Sequence, residues 1–469
     1  MALHELSAIE ALAGLQSRQF SAVDYVTALL ERAAACAGLN AFSHLDERLI
    51  LAEAKLSDTA RQAASTAGRP VGPLHGLPVA IKDNINVADQ PTTAGTPALR
   101  NHRPATDAPV VPALRRAGAI IFGRTNMHEL AYGLTSNNAA FGAVRNPFNP
   151  AMIAGGSSGG SAAAVGAHIV PVALGTDTGG SVRVPAALCG VVGFRPTHGR
   201  YCGDGIVPIS RSRDTVGILA RDVADAVLLD PVLSRQRQQL TPVSISGLRI
   251  GISRGYFFDT LDGEVRSLVE RALERLSGLG AVLIEADIPG IESCNPRVGR
   301  PIVSGEVLKD LPGYLEKYAG NISIEDLLSQ VASPDVRAII DQQFDPDNRA
   351  AILSAYDHAM NHSRPALRQC FEQYFDAHQL DAIALPTTPV PARPIGDDDY
   401  IDLAGTQAPT GPTLIHNTGP ASIIGAPGLT VPVGLTCAGL PVGLELDGRA
   451  GLDNHLLAIG LAWENDYGS

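Results

Sequence analysis

Charge is scarce in this sequence, and basic charge scarcer still. Lysine and arginine together number 36 among 469 residues, against 48 acidic ones, for a formal net charge of −12. No basic stripe is available to follow a phosphate backbone or an anionic lipid surface, so neither nucleic acid nor a membrane is an expected partner. Long apolar runs are missing too: none reaches the roughly 18 residues that span a bilayer. The opening "MALHELSAIEALAGL" carries two glutamates where a secretory leader would have a basic region and a cleavage site. Cysteine is sparse and scattered, at Cys36, Cys189, Cys202, Cys294, Cys370 and Cys437, with no C-x-x-C pair. That spacing excludes a dense disulfide framework and a paired-thiolate zinc site. Internal repeats, low-complexity tracts and Ser/Gly linkers are absent. The expectation is a soluble, cytoplasmic chain with reduced, mostly buried thiols.

What is present is apolar content of 45%, with 48 glycines and 33 prolines, enough for a large core. Residues 1–65 read as helices. One of them starts at Ser21, a natural N-cap with Asp24 at the capping-box position, and runs to Gly38. Further on, near-continuous apolar runs suit strands buried on both faces: "LPVAI" (77–81), "AIIFG" (119–123), "VPVALG" (170–175) and "VVGF" (191–194). Helical stretches such as "APVVPALRRAG" and "GGSAAAVGAHI" alternate with them. Later come "LRIGIS" (248–253), the periodic helix 264–280, "AVLIEA" (281–286), "DAIALP" (381–386), "LTVPVGL" (429–435) and "PVGLELDG" (441–448). This alternation predicts an α/β fold, a large mixed central sheet flanked by helices on both faces. One domain over 1–469 is expected. It comprises N-terminal helices (1–65), a core (66–230), a mostly helical insertion or cap at about 290–380, and C-terminal strands and a helix (381–469).

The densest chemistry lies in "GGSSGGSAAAVGAHIVPVALGTDTGGS" (155–181). A phosphate cradle is disfavoured, because neither G-x-x-x-x-G-K-[ST] nor G-x-G-x-x-G frames it. "GSSGG" fits G-x-S-x-G with Ser158 at its centre, but Pro147 and Pro150 precede it where a nucleophile elbow needs a strand. Ser181 is better presented. Its loop follows the C-terminal end of a strand, and two glycines before it leave backbone N–H groups open to a developing oxyanion. Its base is not obvious. His75, His102, His128, His168 and His198 show no partner pattern. "HAMNH" (358–362) has the i, i+4 spacing of a metal pair but lacks the glutamate of H-E-x-x-H. Lys82 ends a buried strand: either it snorkels or pairs with Asp83, or it is desolvated until its neutral amine acts as a base.

The segments "GLPVAIKDN", "GGSSGGSAAAV" and "GTDTGGSVRVPAALCGVVGFRPT" together resemble the amidase signature family. The likeness is dense from about 73 to 220 and recurs at "LPTTP" (385–389) and "GLPVGLELDG" (439–448). It implies the amidase-signature fold and a Ser–cis-Ser–Lys triad, with Ser181 as nucleophile, Ser157 as the cis-serine and Lys82 as base. The N–H groups of Thr178, Gly179, Gly180 and Ser181 would hold the oxyanion. Ser158, Asp177 and Arg183 would support the loop, and Ala131 and Tyr132, with Ser157, would meet the substrate. No metal or other cofactor is implied, and a homodimer is allowed. Such chemistry makes a demand: at its ordinary pKa of about 10.4, a lysine needs about 4.6 kcal/mol to be neutral at pH 7. The substrate class implied is a small-molecule amide of the arylacetamide type, as hydrolysed by the indoleacetamide and mandelamide hydrolases of this family. Two other readings share the core: one component of a tRNA-dependent glutamyl/aspartyl amidotransferase, and a binding protein without catalysis.

Overall fold

Apolar residues dominate the inner strands, and the computed structural model buries those strands on both faces, while the two edge strands of the sheet stay partly exposed. The structure describes residues 2–236 and 240–467. The strands are β1 (Phe42–His44), β2 (Pro78–Lys82), β3 (Ile120–Thr125), β4 (Val172–Asp177), β5 (Val192–Arg195) and β6 (Thr215–Ala220). They continue as β7 (Arg249–Ile252), β8 (Val282–Glu285), β9 (Ala382–Pro386), β10 (Gly428–Leu435) and β11 (Pro441–Asp447). All eleven join one sheet in the order β1-β3-β2-β4-β6-β5-β10-β11-β9-β7-β8. The sheet is mixed: β2 runs parallel to β3 and β4, whereas β4–β6, β5–β6, β5–β10 and β10–β11 are antiparallel. Strands from the far C-terminal part therefore lie next to those from the first half, with Thr430 opposite Gly193.

Most of the apolar runs are strands within two residues of their expected ends. Two strands of this sheet have no counterpart among the runs picked out above, nor do the strands of two small hairpins, Asn137–Asn138 with Gly142–Ala143 and Tyr400–Leu403 with Thr406–Pro409. β1 interrupts the expected N-terminal helices as a three-residue edge strand. β6 is the central partner of β4 and β5, and its polar start at Thr215 disguises it. Ser21 caps the helix Ala22–Ala35, with the reciprocal box to Asp24. That helix stops short of Gly38, because Ala37–Leu39 tighten into a 3-10 turn. Residues 291–378 contain no strand, and their longest helix is Gly299–Tyr318. Among the described residues no helix is long and apolar enough to cross a membrane.

Candidate active site

β2 and β4 are neighbours in the sheet, and both end at the same edge, where the last side chain of β2 meets Thr176, the next-to-last residue of β4. Lys82, the final residue of β2, is wholly buried. It neither snorkels to solvent nor pairs with Asp83, which turns instead to Ser43, Thr93 and Arg124. The Lys82 ammonium donates to Ser157 Oγ and to Thr176 Oγ1, both at 2.8 Å. Thr176 also accepts from Asn84 Nδ2 at 3.0 Å, so its hydroxyl oxygen holds two donors. Burial pulls the Lys82 amine down to about 7, against the carboxylates of Asp177 and Asp214, which hold it up. At that value about half the amine is neutral at pH 7, and most of the cost set out above has been removed by the fold.

Ser157 sits in the turn that feeds the helix Gly159–Gly166, and the Gly156–Ser157 peptide is cis. Its carbonyl accepts from the His128 N–H at 3.2 Å, and His128 is itself tied to Asp335 at 2.9 Å. Gly160 lets this helix come down onto the sheet edge: a Cβ there would stand 2.3 Å from the Asn126 carbonyl oxygen and 2.4 Å from that of Ala41. Ser158 is occupied structurally. Its hydroxyl donates to the Thr176 carbonyl at 3.1 Å and accepts the Thr176 N–H at 3.3 Å. The Ser158 N–H donates to the Ser181 carbonyl at 3.1 Å, which brings the two serine loops side by side. Nothing strand-like leads directly into Ser158, so the elbow pattern there has no elbow.

β4 runs two residues further than expected, taking in Thr176 and Asp177, and the loop proper is 178–182. Asp177 organises it. Its carboxylate accepts from Gly180 N–H at 2.8 Å, Val182 N–H at 3.2 Å, Arg183 Nε at 3.1 Å and Arg195 Nη1 at 3.1 Å. Burial alone would raise its pKa, but Arg183 and Arg195 hold it well below the usual carboxylate range. The Gly180 N–H is thereby committed to Asp177. Those of Thr178, Gly179 and Ser181 donate to nothing among the described residues. Gly180 has φ +142, and a Cβ there would stand 2.2 Å from Thr418 Oγ1, whose hydroxyl donates to the Gly179 carbonyl at 2.6 Å. Ser181 is 5% exposed, and no hydrogen bond joins its hydroxyl to that of Ser157 among the described residues.

Ala131 and its neighbour Leu130 both hold positive φ, of 61 and 51, in a tight turn against the same edge. Two consecutive non-glycine residues in the left-handed region cluster where a backbone group is being aimed. The Ala131 carbonyl receives no donor among the described residues. Tyr132 is buried, its hydroxyl near Gln343. Burial and the Asp214 charge push that hydroxyl well above its ordinary pKa, against the Gln343 contact.

Three side chains near the loop carry no signal in the sequence. Thr176 is one. Asp214 is another: it is half-buried, accepts from the Thr178 hydroxyl and from the Ile209 and Ser210 N–H groups at 2.9 Å, and is raised by desolvation to about 6. Arg213 is the third, with Nη2 3.5 Å from the position of a Gly179 Cβ. All three are distant in sequence from Lys82: the pairing of β4 with β2 brings Thr176 to it, and the fold-back of β6 onto β4 brings Arg213 and Asp214 to the loop. A groove of about 940 Å³ between loop 198–214 and the helix Gly299–Tyr318 reaches this region through Asp214, although neither Lys82 nor either serine lines it. No group of three or more His, Cys, Asp or Glu suited to a metal occurs among the described residues, and His358 and His362 lie ring against ring at 5.1 Å.

Comparison with known proteins agrees with this architecture. The amidase family matches residues 24–457. An indoleacetamide hydrolase of Agrobacterium vitis is 43% identical over 98% of this chain and 96% of its own. A mandelamide hydrolase of Pseudomonas putida is 41% identical over 97% of this chain and 90% of its own. An amidase crystal structure superposes with a TM-score of 0.83 at 33% identity, covering 98% of this chain and all of that one.

Proposed function

The chain belongs to the amidase signature family and is an enzyme that hydrolyses amide bonds, and from that premise we propose that Lys82, Ser157 and Ser181 form its proton relay and nucleophile. Neutral Lys82 takes the proton of Ser157, which takes that of Ser181. The Ser181 Oγ attacks the amide carbonyl carbon. The N–H groups of Thr178, Gly179 and Ser181 receive the oxyanion, while Gly180 serves the loop through Asp177. The proton returns along the relay to the leaving nitrogen, ammonia departs, and water, deprotonated by the same relay, releases the acid from the acyl-enzyme. The observation that carries this reading is Lys82: a fully buried amine 2.8 Å from Ser157 Oγ, with its pKa lowered to about 7.

The substrate we infer is a small primary amide of the arylacetamide type, such as indoleacetamide or mandelamide, with Ala131 and Tyr132 on its acyl side. The names of the two relatives support this class over the amidotransferase reading. A reducing cytoplasm suits Cys36, Cys189, Cys202 and Cys437, none of which joins a disulfide.

The test is a panel of aliphatic, arylacetic, 2-hydroxy and amino-acid primary amides scored for ammonia, with a fluorophosphonate probe applied in parallel. Arylacetic amides are expected to turn over fastest, and the probe to label Ser181 alone. Ser181→Ala should lose about 10⁴-fold or more in kcat/KM while keeping its fold. Undiminished turnover in that variant would end the assignment.

A further inference from the structure

Behind the Ser181 loop, five charged side chains meet out of reach of water: Asp177, Arg183, Arg195, Glu445 and Asp447. Two guanidiniums face three carboxyls. Asp177 is served by both arginines and by two backbone N–H groups, so its negative charge is well matched. One positive charge is then left for two acids. Glu445 and Asp447 stand two positions apart on β11, on one face of the strand, and both converge on the same nitrogen. Arg183 Nη1 touches Glu445 Oε1 and lies 3.9 Å from Asp447 Oδ1. Glu445 Oε2 and both Asp447 oxygens meet no donor in the rest of the protein among the described residues.

Three acceptor oxygens without a donor, in a wholly buried site one positive charge short, are strongly disfavoured if both acids are ionised. A single proton between the two carboxyls supplies the donor and balances the charge. The groups facing the pair are Arg183, Asp177 from β4, Arg195 from β5, Ser422 from the helix Gly419–Ile424, and Gly428 and Thr430 of β10. Burial pushes both acids above the usual carboxylate range, and for Asp447 the Glu445 charge adds to it.

We propose that Glu445 and Asp447 share one proton, and that this carboxyl–carboxylate pair is a positioning unit for the nucleophile loop. It fixes Arg183, which fixes Asp177, which holds the Gly180 and Val182 N–H groups on either side of Ser181. Its kinetic readout rests on the reading of Ser181 as nucleophile; its spectroscopic readout does not.

The folded chain keeps a proton that the unfolded chain loses above the ordinary carboxyl pKa. Its stability therefore falls as pH rises beyond that value, by about tenfold in the folding constant per pH unit for one such proton. Asp447→Asn donates the same hydrogen bond without a titrating proton and escapes that loss. With the full-length chain, the infrared spectrum at neutral pH should show the C=O stretch of a buried carboxylic acid, and Asp447→Asn should remove it. Asp447→Ala is expected to lower kcat by about tenfold to a hundredfold with KM little changed, and Asp447→Asn to restore it. A wild type without the carboxylic-acid band, or an Asp447→Asn variant as slow as Asp447→Ala, overturns the proposal. Should Asp447→Ala fail to fold, the band and the pH slope of Asp447→Asn still decide it. If Ser181 escapes labelling while the band behaves as expected, the nucleophile reading falls and the shared proton stands.

Discussion

Lys82 has two hydrogen-bond partners, and each tunes it differently. Ser157 offers a hydroxyl through which a proton can move, whereas Thr176 accepts from the ammonium and so favours the charged form. For an amine whose folded pKa is about 7, a rate that needs the neutral form rises through pH 7 and levels above it. Thr176→Val removes an acceptor from the ammonium. Its kcat/KM profile should reach half its plateau at lower pH than the wild type, and the plateau should fall about tenfold because the amine is less firmly oriented. A half-plateau pH that does not move would show that Lys82 is not the group being titrated. Lys82 itself is visible in the sequence as a cation ending an apolar run, while its partner Thr176 is one threonine among many. The difference is physical: a charge in a buried strand is anomalous wherever it occurs, but a threonine becomes informative only when something is brought against it.

At the scale of elements, the short helix Gly159–Gly166 sets where Ser157 stands. Gly160 sits with its Cα against the carbonyls of Asn126 and Ala41, which leave no room for a methyl group. Gly160→Ala must lift the helix from the end of β3. It should cost about 1–3 kcal/mol of stability and much of the activity, since Ser157 and Lys82 would part. Thermal unfolding with ammonia release on the same preparation checks both. A contrast comes from Ser21, whose cap with Asp24 stabilises a helix remote from the site. Ser21→Ala should lose about 1 kcal/mol and leave kcat/KM unchanged. The cap was legible because its residues are three apart in the chain and its geometry is local. The closeness of Gly160 to Asn126 and Ala41 was not, because it depends on how two elements cross.

Across the whole molecule, the sheet is what unites the site. Lys82 and Ser181 come with β2 and β4, yet the loop between β4 and β5 is held from behind by Thr418, Ser422, Glu445 and Asp447. β10 and β11 are interior strands of the sheet, paired on both sides. Residues 1–380 expressed alone should therefore be inactive, and should regain ammonia release only if 381–469 is supplied and associates. Activity in the shorter piece would show that the C-terminal strands are dispensable. By itself the sequence determined the strand and helix alternation, the Ser21 cap, the anomalous lysine and the glycine-framed serine, because each is decided by residues within a few positions of one another. Only the tertiary structure decided that Lys82 meets Ser157 and Thr176, and that two acids of β11 crowd one arginine. These contacts join residues 75 to 262 positions apart, and their pairing follows from the order in which strands enter the sheet.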